Sequence, residues 1–390
     1  MNLPGEDKLL EYCATIYSVG KTKNRLKELL HNNLNWPYIL QESINQAIAC
    51  LVRHNLLEFK ELVPQNIWKQ FEEIYYATAS RNIKIYREIN IVLLSFNKEN
   101  LKIIPLKGIF LAENVYKNIA LRPMTDVDIL IKKDGLPKID KVLEGLGYKT
   151  SVNKKLASDA MKKSYMNSLD YFKPDKKSIS LHIHWHIVNV SMPTYMYSKN
   201  IKMDRFWECA EPVYVANVQT LGLMPHHLIM YLSEHALKHS FDRLILLSDI
   251  DSVVKKYARE IDWKELIQET RNFGMEKQVY YSLYVTNYFL GTVMPDYVLS
   301  SLKPEKINFL ERKFFNSVIN NNRNTKLCYF VYLNMVKGVI NKIIFIFRTL
   351  FPPPSILPLV FNLSGQSVTV KDYLLFLKKQ FCHLLSLRKI

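Results

Sequence analysis

Residues 100–133 read NLKIIPLKGIFLAENVYKNIALRPMTDVDILIKK, and the fold turns on this stretch. NLKIIPLKG is a short apolar run ending at Gly108, the pattern of a buried strand and a turn. IFLAENVYKN follows with apolar residues at helical spacing, and TDVDILIKK alternates and is β-branched, as a strand is. Downstream, GLPKIDKVLEGLGY predicts a helix with a glycine stop, and KSISLHIHWHIV a further alternating strand. This β-α-β-α-β order predicts a small α/β core over residues 101–190, a mixed sheet of the α+β kind inside a largely helical protein.

The flanks carry the helical period. Residues 1–100 read as a helical N-terminal region, with a long helix from about Gln65 to Asn97. Residues 191–300 read as a second helical region, in which LMPHHLIMYLSEHALKHSFDRLILLSDIDSVVKKY predicts a helix pair. Asn35-Trp36 and Asp262-Trp263 each look like an N-cap, and both open a W-x-x-[IL]-[LI]-Q-E-[ST] string that capped helices reach by convergence. Residues 301–390 form a basic helical C-terminal region, broken at Pro352-Pro353-Pro354, that suits an anionic partner.

Composition narrows the function classes. The 390 residues carry 53 Lys plus Arg against 36 Asp plus Glu, a net +17, and residues 301–390 hold +11 of it. With only 11 glycines there is no GxGxxG and no GxxxxGK[ST], which removes Rossmann and P-loop nucleotide sites. Five dispersed cysteines without CxxC spacing point to a reducing cytoplasm rather than a disulfide or Cys-zinc framework. MNLPGEDKLLEY lacks the basic end and apolar run of a signal peptide, and Gln278 to Pro295 is too polar for a bilayer span.

The sharpest chemical feature is Asp126-Val127-Asp128. On a strand both carboxylates point to one face, while Val127 and Ile129 serve the other. Two acids on a buried strand need a neutralising charge, and a hard divalent cation with substrate phosphates supplies it. Upstream, Lys107 and Gly108 end a strand at a helix start, where a phosphate can sit, and Arg122 adds charge. Triphosphate, Mg²⁺ and paired Asp together make the arrangement for nucleotidyl or phosphoryl transfer. Seven of the ten histidines lie between His182 and His239. His182, His184 and His186 alternate, so on a continuous strand all three face one way; His235 and His239 share a helix face. The string lacks the Glu of HExxH, there is no GxSxG, and the Tyr and Phe are spread as core residues are.

LKGIFLAENVY followed by LRPMTDVDILI resembles the uncharacterised nucleotidyltransferase family of the polymerase-beta-like nucleotidyltransferase superfamily. The resemblance extends over residues 222–263, through His235, His239, Arg243, Leu244, Asp249 and Asp262-Trp263, and over LFPPPSILPLVFN near the end. It implies a cytoplasmic, Mg²⁺-dependent (or Mn²⁺-dependent) enzyme that moves a nucleoside monophosphate from a triphosphate to an acceptor: a small molecule, peptide, protein or RNA. Asp126 and Asp128 would hold metal, with His182 or His184 completing the site. Lys107, Gly108 and Arg122 would bind the triphosphate; His235, His239 and Arg243 would line the cleft, and Asp249 would orient a histidine. The sequence departs from the family at His182-Ile183-His184-Trp185, where the pattern is [DE]-x-H-W. An imidazole there shifts metal preference toward manganese or zinc, serves as a general base, or marks weakened catalysis. Two rival readings stand beside the transferase: a nucleotide-binding module that has lost its third acid, and a metal-dependent hydrolase built on the histidines.

Overall fold

A computed structural model describes residues 5–17, 20–150, 166–174, 179–188, 198–320 and 328–351, with Leu374 and Lys378. Pro352-Pro353-Pro354 and most of the basic stretch after it lie outside the described residues, as does Cys382; the other four cysteines are free.

Five helices come first: α1 (Gly5–Cys13), α2 (Gly20–Leu30), α3 (Trp36–Asn45), α4 (Ala49–Leu56) and α5 (Gln65–Lys98). The Asn35 side chain accepts from the Tyr38 N–H at the start of α3, with Pro37 in the first turn, as its sequence predicts. No glycine or proline interrupts the 34 residues of α5, so it runs on for about 50 Å. Pro64 precedes it, and Asn100 at φ +54° turns the chain out of it.

The core sheet holds β1 (Ile103–Leu106), β2 (Asp126–Ile131), β3 (Lys149–Thr150), β4 (Ser168–Phe172) and β5 (Ser180–His184) in the order β1-β2-β5-β4-β3. β2 and β5 run parallel and the other pairs antiparallel, which makes the sheet mixed. Between β1 and β2 lie a four-residue helix, α6 (Lys107–Phe110), and a π-helical turn (Leu111–Val115); α7 (Leu136–Gly145) follows β2. The sequence predicts three strands here, and the structure adds β3 and β4. β3 is an edge strand of two residues, too few to show a period, and β4 has five residues between β3 and β5. One sheet face is apolar: Val127, Ile129, Leu181, Ile183 and Tyr171 are fully buried. Tyr171 Oη bonds Asp140 of α7, while Tyr148 Oη and Lys173 Nζ bond Glu88 of α5, so these two helices back the sheet.

After α8 (Met203–Glu208), where the sequence predicts only helix, the chain forms a hairpin, β6 (Glu211–Val215) and β7 (Val218–Gly222). Its turn is Ala216-Asn217, both at positive φ, the geometry usually signalled by Asn-Gly. The hairpin braces the core: Glu113 accepts from the Ala216 N–H, Asn114 donates to Tyr214 O and Asn90 to Ala216 O.

The remaining helices are α9 (Pro225–Lys238), α10 (Leu244–Lys256), α11 (Trp263–Phe273), α12 (Glu276–Leu290), α13 (Asp296–Leu302), α14 (Phe309–Ile319), α15 (Cys328–Met335) and α16 (Val339–Leu350). Asp262 caps α11 by accepting from Lys264 and Glu265 N–H groups. α12 stops at Gly291, φ +62°, and buries Gln278, Ser282 and Thr286 against its neighbours. Among the described residues no helix is long and apolar enough to cross a membrane. Thr15 Oγ1 donates to Asp251 of α10, Ser248 Oγ to Ala14 O, and the Leu244 N–H to Gln46 Oε1, which seats α10 on the N-terminal helices.

Candidate active site

The polar face of the sheet opens on a cavity of about 630 Å³, roofed by α9, the start of α10 and the middle of α5. Register explains the convergence. Asp128 pairs with His182 across β2 and β5, and His182 pairs with Asp170 across β5 and β4, so the three side chains share one face. Asp126 and His184, two residues away along their strands, join them. Lys107, Gly108, Arg122, Asp126, Asp128, His182, His184, His235, His239 and Arg243 all line the cavity. The structure therefore gathers the residues singled out in the sequence, apart from His186 and Asp249.

The turn after β1 depends on two neighbours. Lys107 takes φ +46°, a costly conformation for a side chain of its size, and its Nζ reaches Asp128 Oδ1 at 2.8 Å. Gly108 has an ordinary φ; its lack of a side chain serves packing, since a Cβ there would sit 2.6 Å from Met124 Cγ. Asn82 of α5, buried, donates to the Ile119 and Arg122 carbonyls and pins the loop entering β2. Tyr86 Oη donates to Ile109 O and pins α6.

Asp128 is the electrostatic hub. Its side chain is only 2% exposed, and its Oδ1 meets Lys107 Nζ at 2.8 Å and His184 Nε2 at 2.7 Å. Burial opposes its charge, but the Lys107 ammonium, the nearby His182 and the hydrogen bond with His184 outweigh it, holding the carboxyl well below its usual range. His182 stands among three acids: Nδ1 is 3.2 Å from Asp126 Oδ2 and 3.8 Å from Asp128 Oδ1, and Nε2 is 3.7 Å from Asp170 Oδ1. Burial lowers its pKa, yet Asp128, Asp170 and Asp126 together raise it above that of a free imidazole. His184 goes the other way: burial dominates and keeps the ring neutral despite Asp128. Asp128, His182 and His184 bring ligand atoms within 4.8 Å of one another, a group that can hold a metal ion.

The strand ends at His184. His186 leaves the row and its Nδ1 accepts from the Val188 N–H, so the expected three-histidine face contains two. Asp249, expected to orient a histidine, instead binds Arg122 through Nε and Nη2 at 2.8 Å and accepts from Tyr116 Oη at 2.8 Å. The third guanidinium nitrogen, Nη1, donates to Pro123 O, so Arg122 faces the cavity with its fork engaged. On the opposite wall His235 and His239 meet edge to face at 4.7 Å, and burial, with Lys107 nearby, pushes His235 well below its ordinary pKa. Burial likewise lowers Lys238.

The model of a family described as an uncharacterised nucleotidyltransferase matches residues 32–291, two thirds of the chain. The chain belongs to this family. No curated protein and no solved structure matches it. The family match runs from just before α3 to the end of α12, taking in the whole sheet and cavity, and it stops short of the proline-broken basic end. In a nucleotidyltransferase of this family the position of His182 was expected to hold an acid. An acid stands one strand further on, at Asp170, which pairs with His182 across β5 and β4 and is 59% exposed. Asp170 went unread because it lies on β4, though the alternation in Ser168–Phe172 is a usable strand signal. Arg81, Tyr231, Glu234 and Lys238 also line the cavity. They carry no motif: each sits on a long helix whose facing only the packed structure sets.

Proposed function

We propose that this protein transfers a nucleoside monophosphate from a nucleoside triphosphate to an acceptor in the cavity over β2 and β5. The observation that carries the reading is the convergence of two carboxylates and a set of cations in one recess. Asp126 and Asp128 share it with Arg81, Lys107, Lys238 and Arg243. Such a field attracts a triphosphate and leaves two acids to organise its reacting end. Tyr231 Oη, buried and without a hydrogen-bond partner, lines the same recess and offers one more donor to a ligand.

The donor set fits a hard divalent cation. Asp126 and Asp128 would hold it as a pair of hard oxygen donors, which suits manganese as well as magnesium, while His182 turns Nδ1 to both acids and keeps Nε2 for the proton. When bound, such an ion neutralises phosphate oxygens and polarises the phosphorus under attack. The chain's own residues do the rest. Lys107 and His184 keep Asp128 ionised and aligned; Lys238 and Arg243 hold the phosphates; His235 and His239 line the wall across from Gly108 and Arg122. An acceptor oxygen bonds to the α-phosphorus as the bond to the departing pyrophosphate breaks. The acceptor proton passes to His182 Nε2, the nitrogen turned to Asp170, which stabilises the imidazolium so formed. The basic region 301–390 would steer an anionic partner toward the molecule.

Incubation with labelled triphosphates, Mg²⁺ or Mn²⁺ and a panel of acceptors tests this. Asp126→Asn should lower transfer at least about 100-fold while leaving the fold intact. Unchanged transfer in that variant removes the proposed centre. A binding module is the second reading, favoured by Lys107 already paired with Asp128. It predicts triphosphate binding by calorimetry with no turnover under either metal.

A further inference from the structure

The opposite end of α9 holds a second cluster that the transfer reaction does not use. His226 and His227 lie in the first turn of α9 and meet Glu269 of α11. His226 Nε2 is 3.6 Å and His227 Nε2 2.5 Å from Glu269 Oε2, and the three ligand atoms lie within 4.8 Å of one another. We propose that His226, His227 and Glu269 form a metal site, suited to zinc, that ties α9 to α11.

Four observations carry it. First, the cluster is dry: His226 is 5% exposed, His227 0% and Glu269 4%. Second, His226 Nε2 is buried with no hydrogen-bond partner, although it lies beside the carboxylate. A buried polar atom left unmade costs about 1–3 kcal/mol, and a coordinated cation removes that cost. Third, the donor chemistry is right. Two imidazoles and a carboxylate are zinc ligands, whereas magnesium avoids nitrogen. Fourth, the carboxylate is oriented from behind. Arg205 Nε donates to Glu269 Oε1 at 2.9 Å and Nη2 to Glu265 Oε1 at 3.0 Å, which leaves Oε2 turned to the histidines. Ligand atoms around a tetrahedral zinc stand roughly 3.3 Å apart, from bonds of about 2.0 Å. The 3.6 Å pair already matches; the 2.5 Å hydrogen bond of His227 would open by under about 1 Å. The site is separate from the transfer centre, since nine residues of helix put His226 about 13 Å along α9 from His235.

Tag-free protein is dialysed against zinc, washed and measured by elemental analysis, alongside Asp128→Asn and His226→Gln. The expected result is one zinc per chain in the wild type, kept in Asp128→Asn and lost in His226→Gln. Because His226→Gln disturbs a buried helix start, wild-type protein is also stripped with a chelator and reloaded with cobalt. Visible d–d bands and a melting temperature that falls on stripping and recovers with zinc support the site. Absence of bound zinc and cobalt bands in folded wild type overturns it. So does zinc that leaves with Asp128→Asn instead of His226→Gln.

Discussion

Gly108 and Arg122 line the same cavity, yet packing uses them in different ways. Gly108 is required by Met124, whose side chain fills the space of a Cβ at 2.6 Å. Gly108→Ala should cost about 1–3 kcal/mol in denaturant unfolding and lower kcat, because Met124 is two residues before Asp126. Arg122 gives its guanidinium to Asp249 in a pair whose side chains are 12% and 1% exposed. Removing one partner strands a buried charge, so Arg122→Met should destabilise by about 3–5 kcal/mol. The double variant Arg122→Met, Asp249→Leu should recover a good part of that loss. A double-mutant cycle in urea measures the coupling; additive losses would show that the pair does not act as a unit. The two acids of Asp126-Val127-Asp128 were legible from alternation alone, since a strand has only two faces. Asp249's choice of Arg122 over a histidine was not, because it joins residues 127 positions apart.

At the scale of elements, α5 serves as the ruler against which the site is built. It reaches the loop before β2 through Asn82, α6 through Tyr86 and the hairpin through Asn90. Asn82→Ala removes the donor from two part-buried carbonyls, and should cost about 1–3 kcal/mol with a fall in transfer rate. Hydrogen exchange should show the gain in motion confined to the residues around Ile119 and Arg122; a uniform rise would argue against a local clamp. The long helix, β2, α7 and β5 were readable because each shows one period over enough residues, and β1 because an apolar run ends there at a glycine. The hairpin and β3–β4 were not. Ala216-Asn217 is a weak turn signal, β3 has two residues and no period, and the alternation of β4 is confined to five residues; their pairing partners stabilise them.

Over the whole molecule, the buried histidines make stability depend on pH. His186 is pushed down to about 4 by burial, against about 6.5 in an unfolded chain. Its unfolded form therefore takes a proton first as pH falls. Its contribution is complete above about 6.5 and is lost progressively as pH drops toward 4. Between pH 7.5 and 5 this costs on the order of 2 kcal/mol, and His186→Gln should flatten the profile in that window. Equal slopes in urea titrations of the two proteins would dismiss it. The linear chain was enough for the helical flanks, the strand with paired acids, the charge gathered toward the end and the family, because these are properties of neighbours. Assembly into a site was a matter of distance in space. Strand register placed Asp170 beside His182, helix packing turned Tyr231 and Lys238 into the cavity, and a crossing of α9 and α11 brought Glu269 to His226 and His227. Local periodicity tells which face a residue takes on its own element, but the partner across that face is chosen only when the elements pack.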